Sequence, residues 1–206
     1  MRKSILCLLL AVVSLSKASH AQLSCNDAPQ EFGPMKQICR NFDHPVPLPP
    51  SVVAELVKTQ AAGYARDVLK ENPQYDLSQL FLAEKMKLAG PDEDDYVVLG
   101  EFPLTGADCD WFWVVRSLKS GPQVVLFSIG TMLRLLPQED HGLPEIRADW
   151  WPGNGDGWAR IFRFDGKEYK AARSFETCWV MRGEGDNEHW EEVKLHRNQS
   201  CLQYSN

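Results

Sequence analysis

The residues best suited to chemistry in this 206-residue chain are aromatic rings set beside carboxylates. Trp150, Trp151 and Trp158 cluster around the turn Gly153-Asn154-Gly155-Asp156-Gly157, with Asp149 and Asp156 beside them. A tryptophan offers rigid apolar area and a polar edge, so exposed rings next to acids suit a sugar or a basic protein surface. The competing use of such rings is to fill or cover a sheet, where they only pack. All seven tryptophans, from Trp111 and Trp113 to Trp179 and Trp190, lie in the strand-rich part of the chain.

Other constellations lack the spacing their chemistry needs. Asp92, Glu93, Asp94 and Asp95 form an acidic turn, but neither this run nor Asn154 and Asp156 has the ligand spacing of a calcium loop. Such residues serve equally to close solvated turns through their own backbone. His44, His141, His189 and His196 are scattered, and no His-Glu-x-x-His occurs. Ser128 sits in Leu126-Phe127-Ser128-Ile129-Gly130, which lacks the first glycine of a nucleophile elbow. The glycine-rich run 153–157 precedes a strand-like segment, whereas a phosphate loop opens a helix. A carboxylate pair for glycoside hydrolysis meets in space, so spacing cannot select two of 28 acidic residues. No cofactor and no metal is expected.

The elements that must position the rings follow from periodicity. Ser51 is placed to cap one helix over 51–71, with Val52, Val53, Leu56, Val57, Ala61, Tyr64, Val68 and Leu69 on its apolar face and Asn72-Pro73 at its end. From about residue 79, strands and turns take over. Leu80–Leu88 and Tyr96–Gly100 read as strands. Asp110–Leu118 and Gln123–Ile129 read as a hairpin, with Trp111, Trp113 and Val115 opposite Phe112 and Val114. Thr131–Leu136 is a short apolar run. Trp158–Phe164 alternates, Asp165-Gly166 is a hairpin turn, and Tyr169–Arg173, Phe175–Met181 and Trp190–Leu195 complete the set. The expected fold is α+β: one N-terminal helix packed on a mainly antiparallel β-sheet, as a single domain over 51–206.

The N-terminus reads as an address. Arg2 and Lys3 precede the apolar stretch from Ile5 to about Leu15, and Ser19-His20-Ala21 ends in small residues suited to cleavage before Gln22. Residues 1–21 are therefore expected to be a signal peptide, and no membrane span is expected after its removal. Loss of Arg2, Lys3 and Lys17 would take the net charge from −6 to −9, which disfavours nucleic acid as a partner. Residues 22–50 form an irregular Pro-rich lead-in, with Pro45–Pro50 extended and polyproline-like as a stiff spacer. An oxidising compartment favours pairing of the five remaining thiols. Cys25 is expected to pair with Cys39 across a short loop. Cys109 is expected to pair with Cys178, since each precedes a Trp-containing apolar run, with Cys178–Cys201 as the competing choice.

Residues 79–178, roughly, resemble a loose group of uncharacterised secreted bacterial proteins with a terminal aromatic-x-Asp-Gly-x-x-Tyr hairpin. The likeness rests on Leu88-Ala89-Gly90-Pro91 followed by acids and Tyr96-Val97-Val98, on the Cys109-x-Trp111 strand, on Leu133-x-Leu135-Leu136-Pro137, and on Phe162-Arg163-Phe164-Asp165-Gly166-Lys167-x-Tyr169. The turn Gly90–Asp95 departs from the Asp-x-Asp-Gly often found there. The resemblance implies export, bacterial origin and sheet architecture, and brings no activity. Together these readings point to a periplasmic or secreted, non-enzymatic binding module of the bacterial envelope. Trp150, Trp151, Asp156 and Trp158 are its binding residues, and a basic protein or a glycan is its partner. The alternative is a small secreted hydrolase. A concave pocket with converging carboxylates would favour the hydrolase, and a flat or convex aromatic patch the binding module.

Overall fold

Apolar runs rich in β-formers over 110–118 and 121–130 and a largely alternating segment over 156–164 form strands, and these strands help to build two antiparallel sheets. The computed structural model describes residues 37–39, 42, 44–59, 61–74, 76–89, 94–101, 104, 110–150, 156–183, 189–197 and 199–204. The expected signal peptide at 1–21, Cys25, Cys109, Trp151, the side chain of Cys39 and the turn residues 90–93 lie outside the described residues. No described helix is long and apolar enough to cross a membrane.

The elements run β1 (Gln37–Cys39), α1 (Pro50–Leu56), α2 (Ala61–Glu71), β2 (Phe81–Met86), β3 (Asp95–Gly100), β4 (Asp110–Leu118), β5 (Gly121–Gly130), β6 (Met132–Asp140), β7 (Leu143–Trp150), β8 (Asp156–Phe164), β9 (Tyr169–Arg182) and β10 (His189–Lys194). One sheet has the order β2-β3-β4-β5 and the other β1-β6-β7-β8-β9-β10. Strand makes up 58 % of the described residues and helix 15 %, so the expected α+β domain with one helix on one sheet is corrected to a mostly β, two-sheet architecture.

The period-two pattern sorts the side chains into layers. Val97, Leu99, Phe112 and Val114 of the four-stranded sheet face Leu133, Ile146, Ala148, Phe162 and Phe164 of the six-stranded one and form the central core. On the outer face of the four-stranded sheet, Trp113, Val98 and Val115 pack against Val52 and Leu56 of α1, all nearly inaccessible to water. Trp113 is fully buried there, edge-on to Phe81 at 5.5 Å, and its indole N–H donates to Thr59 at 3.3 Å.

The expected helix over 51–71 is broken in two. Pro50 opens α1 and Pro49 is its cap, so Ser51 lies inside the helix and caps nothing. Lys58 N donates to Glu55 O, Thr59 N to Leu56 O, and Thr59 Oγ1 to the same Leu56 carbonyl. These three-residue bonds tighten the last turn and end the helix before α2 begins. The Pro-rich stretch is also more than a spacer: Pro45 bridges to Glu84, and Val46 N donates to Ala83 O at the free edge of β2. At the β8–β9 hairpin, Asp165 Oδ1 accepts from Lys167 N and Glu168 N, both at 2.9 Å, and Gly166 takes φ +95°.

Candidate functional site

Strand β8 presents Asp156, Trp158, Arg160 and Phe162 to the side that faces the four-stranded sheet, because they alternate with buried Ala159 and Ile161 on the other side. Phe162 sits in the core. Arg160 and Asp156 are exposed and Trp158 is half-buried, so the six-stranded sheet extends past the cover of its partner. On the flanking strands, register sets Trp150 of β7 and Glu176 of β9 on either side of Trp158, and Ser174 beside Arg160. The indoles of Trp150 and Trp158 lie 6.1 Å apart at 33°, and the Arg160 guanidinium rests 5.0 Å from the Trp158 ring.

This overhang is the floor of a groove of about 740 Å³. Its far wall comes from the segment after β10, through Leu195, Gln199 and Ser200. Three of the four residues expected to bind, Trp150, Asp156 and Trp158, thus come together in one groove, while Trp151 lies outside the described residues. Arg160, Glu176, Gln199 and Ser200 were not expected there. Alternation along β8 places Arg160 two residues from Trp158 and so signals its side of the sheet. Glu176 depends on the β8–β9 register, and Gln199 on a chain reversal that no local pattern announces.

The opposite face of the same strands is charged and buried. Asp149, fully inaccessible, lies 3.1 Å from Arg134 Nε and receives Arg147 Nε at 2.8 Å and Arg147 Nη2 at 2.6 Å. Arg147 also pairs with Glu192 of β10, itself largely buried. Arg134 lies over Trp179 at 5.6 Å and Arg147 over Phe175 at 5.3 Å. Burial pushes the Asp149 carboxyl upward in pKa against the pull of both guanidiniums, and burial lowers that of Arg134. The network ties β6, β7 and β10 together directly behind the groove, one residue from Trp150. Next to it, Glu145, 2 % exposed, accepts Arg163 Nη2 at 2.8 Å and Arg173 Nη2 at 3.1 Å.

Cys178 is bonded to Cys201, with Cα atoms 5.4 Å apart. The expected Cys109–Cys178 bond is therefore corrected to the competing pair. The strand that follows Cys109 belongs to the four-stranded sheet and Cys178 to the six-stranded one, so shared Trp-containing runs did not mean shared neighbours. A disulfide between two nearly buried cysteines points to an oxidising, extracellular-type environment. No family model, no curated protein and no solved structure matches the chain, so its functional reading rests on the groove itself.

Proposed function

We propose that the protein is an exported, non-enzymatic binding module whose groove takes a glycan of the bacterial envelope. The single observation that carries this reading is the Trp150–Trp158 pair on the open floor of a groove rimmed by two acids, an amide and hydroxyls. Two indoles side by side offer a flat apolar platform to the apolar face of a sugar ring. The rim sets the ligand's chemistry. Asp156 and Glu176 are acceptors when ionised and Arg160 is a donor, so a ligand that brings hydroxyls, acetamido groups or an amine matches the rim. The excess of 28 acidic over 22 basic residues opposes a polyanionic glycan at low salt. Neutral or amino-bearing sugars fit both conditions.

The test is calorimetric titration with a soluble oligomer of β-1,4-linked N-acetylglucosamine, its deacetylated form, and an oligogalacturonate of matched length. One of the first two is expected to bind and the third not to. Trp158→Ala is expected to weaken binding about tenfold, the value of one aromatic contact, without lowering the melting temperature. Binding that is indifferent to Trp158, or preference for the oligogalacturonate, would overturn the proposal. The aromatic pair lies in a concave groove, where the binding reading led us to expect a flat or convex patch, and this favours a second reading, the hydrolase. Register sets Asp156 and Glu176 diagonally on neighbouring strands, about 7–8 Å apart between Cα atoms. Both carboxyls therefore enter the groove from adjacent strands, as the paired acids of a glycosidase do. Release of new reducing ends from the bound oligomer would select it.

A further inference from the structure

We infer that Cys178 and Cys201 are positioning residues for the groove: their bond latches a C-terminal strap that forms the groove's far wall. This inference rests on the binding reading for what the wall does, and on geometry alone for how the wall is held. The strap begins at Leu195, where β10 ends, and runs to Tyr204. It carries the wall residues Leu195, Gln199 and Ser200, and Ser200 immediately precedes Cys201.

The strap is held internally by short-range bonds: His196 N donates to Gln199 Oε1 at 2.7 Å, Gln199 N to His196 O, and Tyr204 N to Cys201 O. It is tied to β9 by the Leu195 N to Glu176 O bond at 3.0 Å, by the disulfide, and by a small apolar cluster. That cluster joins Cys178, Val180 and Cys201 to Val193, Leu195 and Tyr204. It is separate from both cores of the sheets. A cluster this small gives little burial to offset the ordering of the strap, so the covalent link carries it. Glu176 lies at the junction: its carbonyl accepts the strap's first N–H, and its side chain stands beside Trp158 on the groove floor.

Opening the latch with a dithiol passes two electrons and two protons to the cystine. The S–S bond breaks to two thiols, and the reductant closes its own disulfide. The sheets should stay folded while the far wall swings away. Ligand capture would then be confined to compartments where the bond forms, and the chain would be silent before export.

The experiment compares the oxidised full-length protein with Cys178→Ser/Cys201→Ser and with wild type under a dithiol reductant. The first readout, hydrogen exchange, needs no ligand. Protection of the Leu195 amide is expected to fall by up to about three-hundredfold, the gain that closing a loop of this length gives, while amides of β4 and β8 keep theirs. Unchanged protection at Leu195, or an equal loss across β4 and β8, would overturn the latch. The second readout is titration with the N-acetylglucosamine oligomer, where the opened protein is expected to bind at least about tenfold more weakly, as for any lost wall contact. Equal affinity in both states would overturn the strap's place in the site. Absence of binding to the oxidised protein would count against the glycan reading and leave exchange to decide the latch.

Discussion

Replacing Asp149 with alanine should be among the most damaging single changes in this protein, although the residue touches no core cluster. The carboxylate has three contacts of 2.6–3.1 Å to two guanidiniums, with Asp149 and Arg134 at 0 % exposure and Arg147 at 4 %. Arg147 keeps Glu192 after the change, whereas Arg134 loses its nearest carboxylate and stays buried against Trp179. Removing one partner of a buried pair costs about 3–5 kcal/mol. The midpoint of that range is a large fraction of a total stability of about 5–15 kcal/mol. With a urea slope near 2 kcal/mol/M, the unfolding midpoint should fall by about 2 M. Asp149→Asn keeps an acceptor and the shape but not the charge, and should fall by less. The combined Arg134→Met, Asp149→Leu change removes both ends of one pair and should recover part of the loss. Equilibrium urea unfolding, read by tryptophan fluorescence and by circular dichroism, measures all three. A midpoint shift under about 0.5 M for Asp149→Ala would show that the network is not holding β6, β7 and β10 together, and the reasoning would fail.

Two further predictions rest on other parts of the fold. Burial drives the Tyr169 phenol well above its ordinary range, and its hydroxyl donates to Pro144 O at 2.9 Å. The fold favours the neutral phenol, so the stability it contributes is complete below the unfolded value near 10. It is lost above that value at about 1.4 kcal/mol per pH unit. Tyr169→Phe should cost about 1 kcal/mol at neutral pH. It should also flatten the decline in urea midpoint between pH 9 and 11; a slope equal to wild type's refutes this. At Gly130 an added Cβ would lie 2.6 Å from the Asp149 carbonyl, which already accepts Thr131 N at 2.7 Å and Thr131 Oγ1 at 3.1 Å. Gly130→Ala should therefore cost about 1–3 kcal/mol by overpacking. A thermal melt unchanged from wild type would show that the β5–β6 corner yields freely.

How much of this could be read from the residues depends on what each pattern measures. Strand β8 was legible from its alternation, and β4 and β5 from apolar runs that bury both faces; Trp111, Trp113 and Val115 do lie opposite Phe112 and Val114. Strand β7 went unseen. Its inward residues Ile146 and Ala148 alternate with Glu145, Arg147 and Asp149, and Pro144 stands near its start, so it resembles a polar loop. The charges are buried all the same, since each is answered by a partner from another strand, and partners are invisible to a local window. The helix over 51–71 fits a single stripe of apolar residues. The break comes from Thr59 closing on the Leu56 carbonyl, a side-chain choice that periodicity does not weigh. Division into two sheets, and with it the true partner of Cys178, is a matter of long-range pairing. At the groove, the cluster of aromatics around an acidic, glycine-rich turn did mark Trp150, Asp156 and Trp158. Glu176 and Gln199 reach it from residues about 20 and 40 positions downstream, beyond any local pattern.

The overhang of the six-stranded sheet has a bearing on how such a protein diversifies. Residues on that shelf are largely spared from supporting the interior, so mutations there are filtered little by folding. Side chains at a few shelf positions can therefore change while the scaffold beneath stays constant, much as antibody loops vary on a fixed frame.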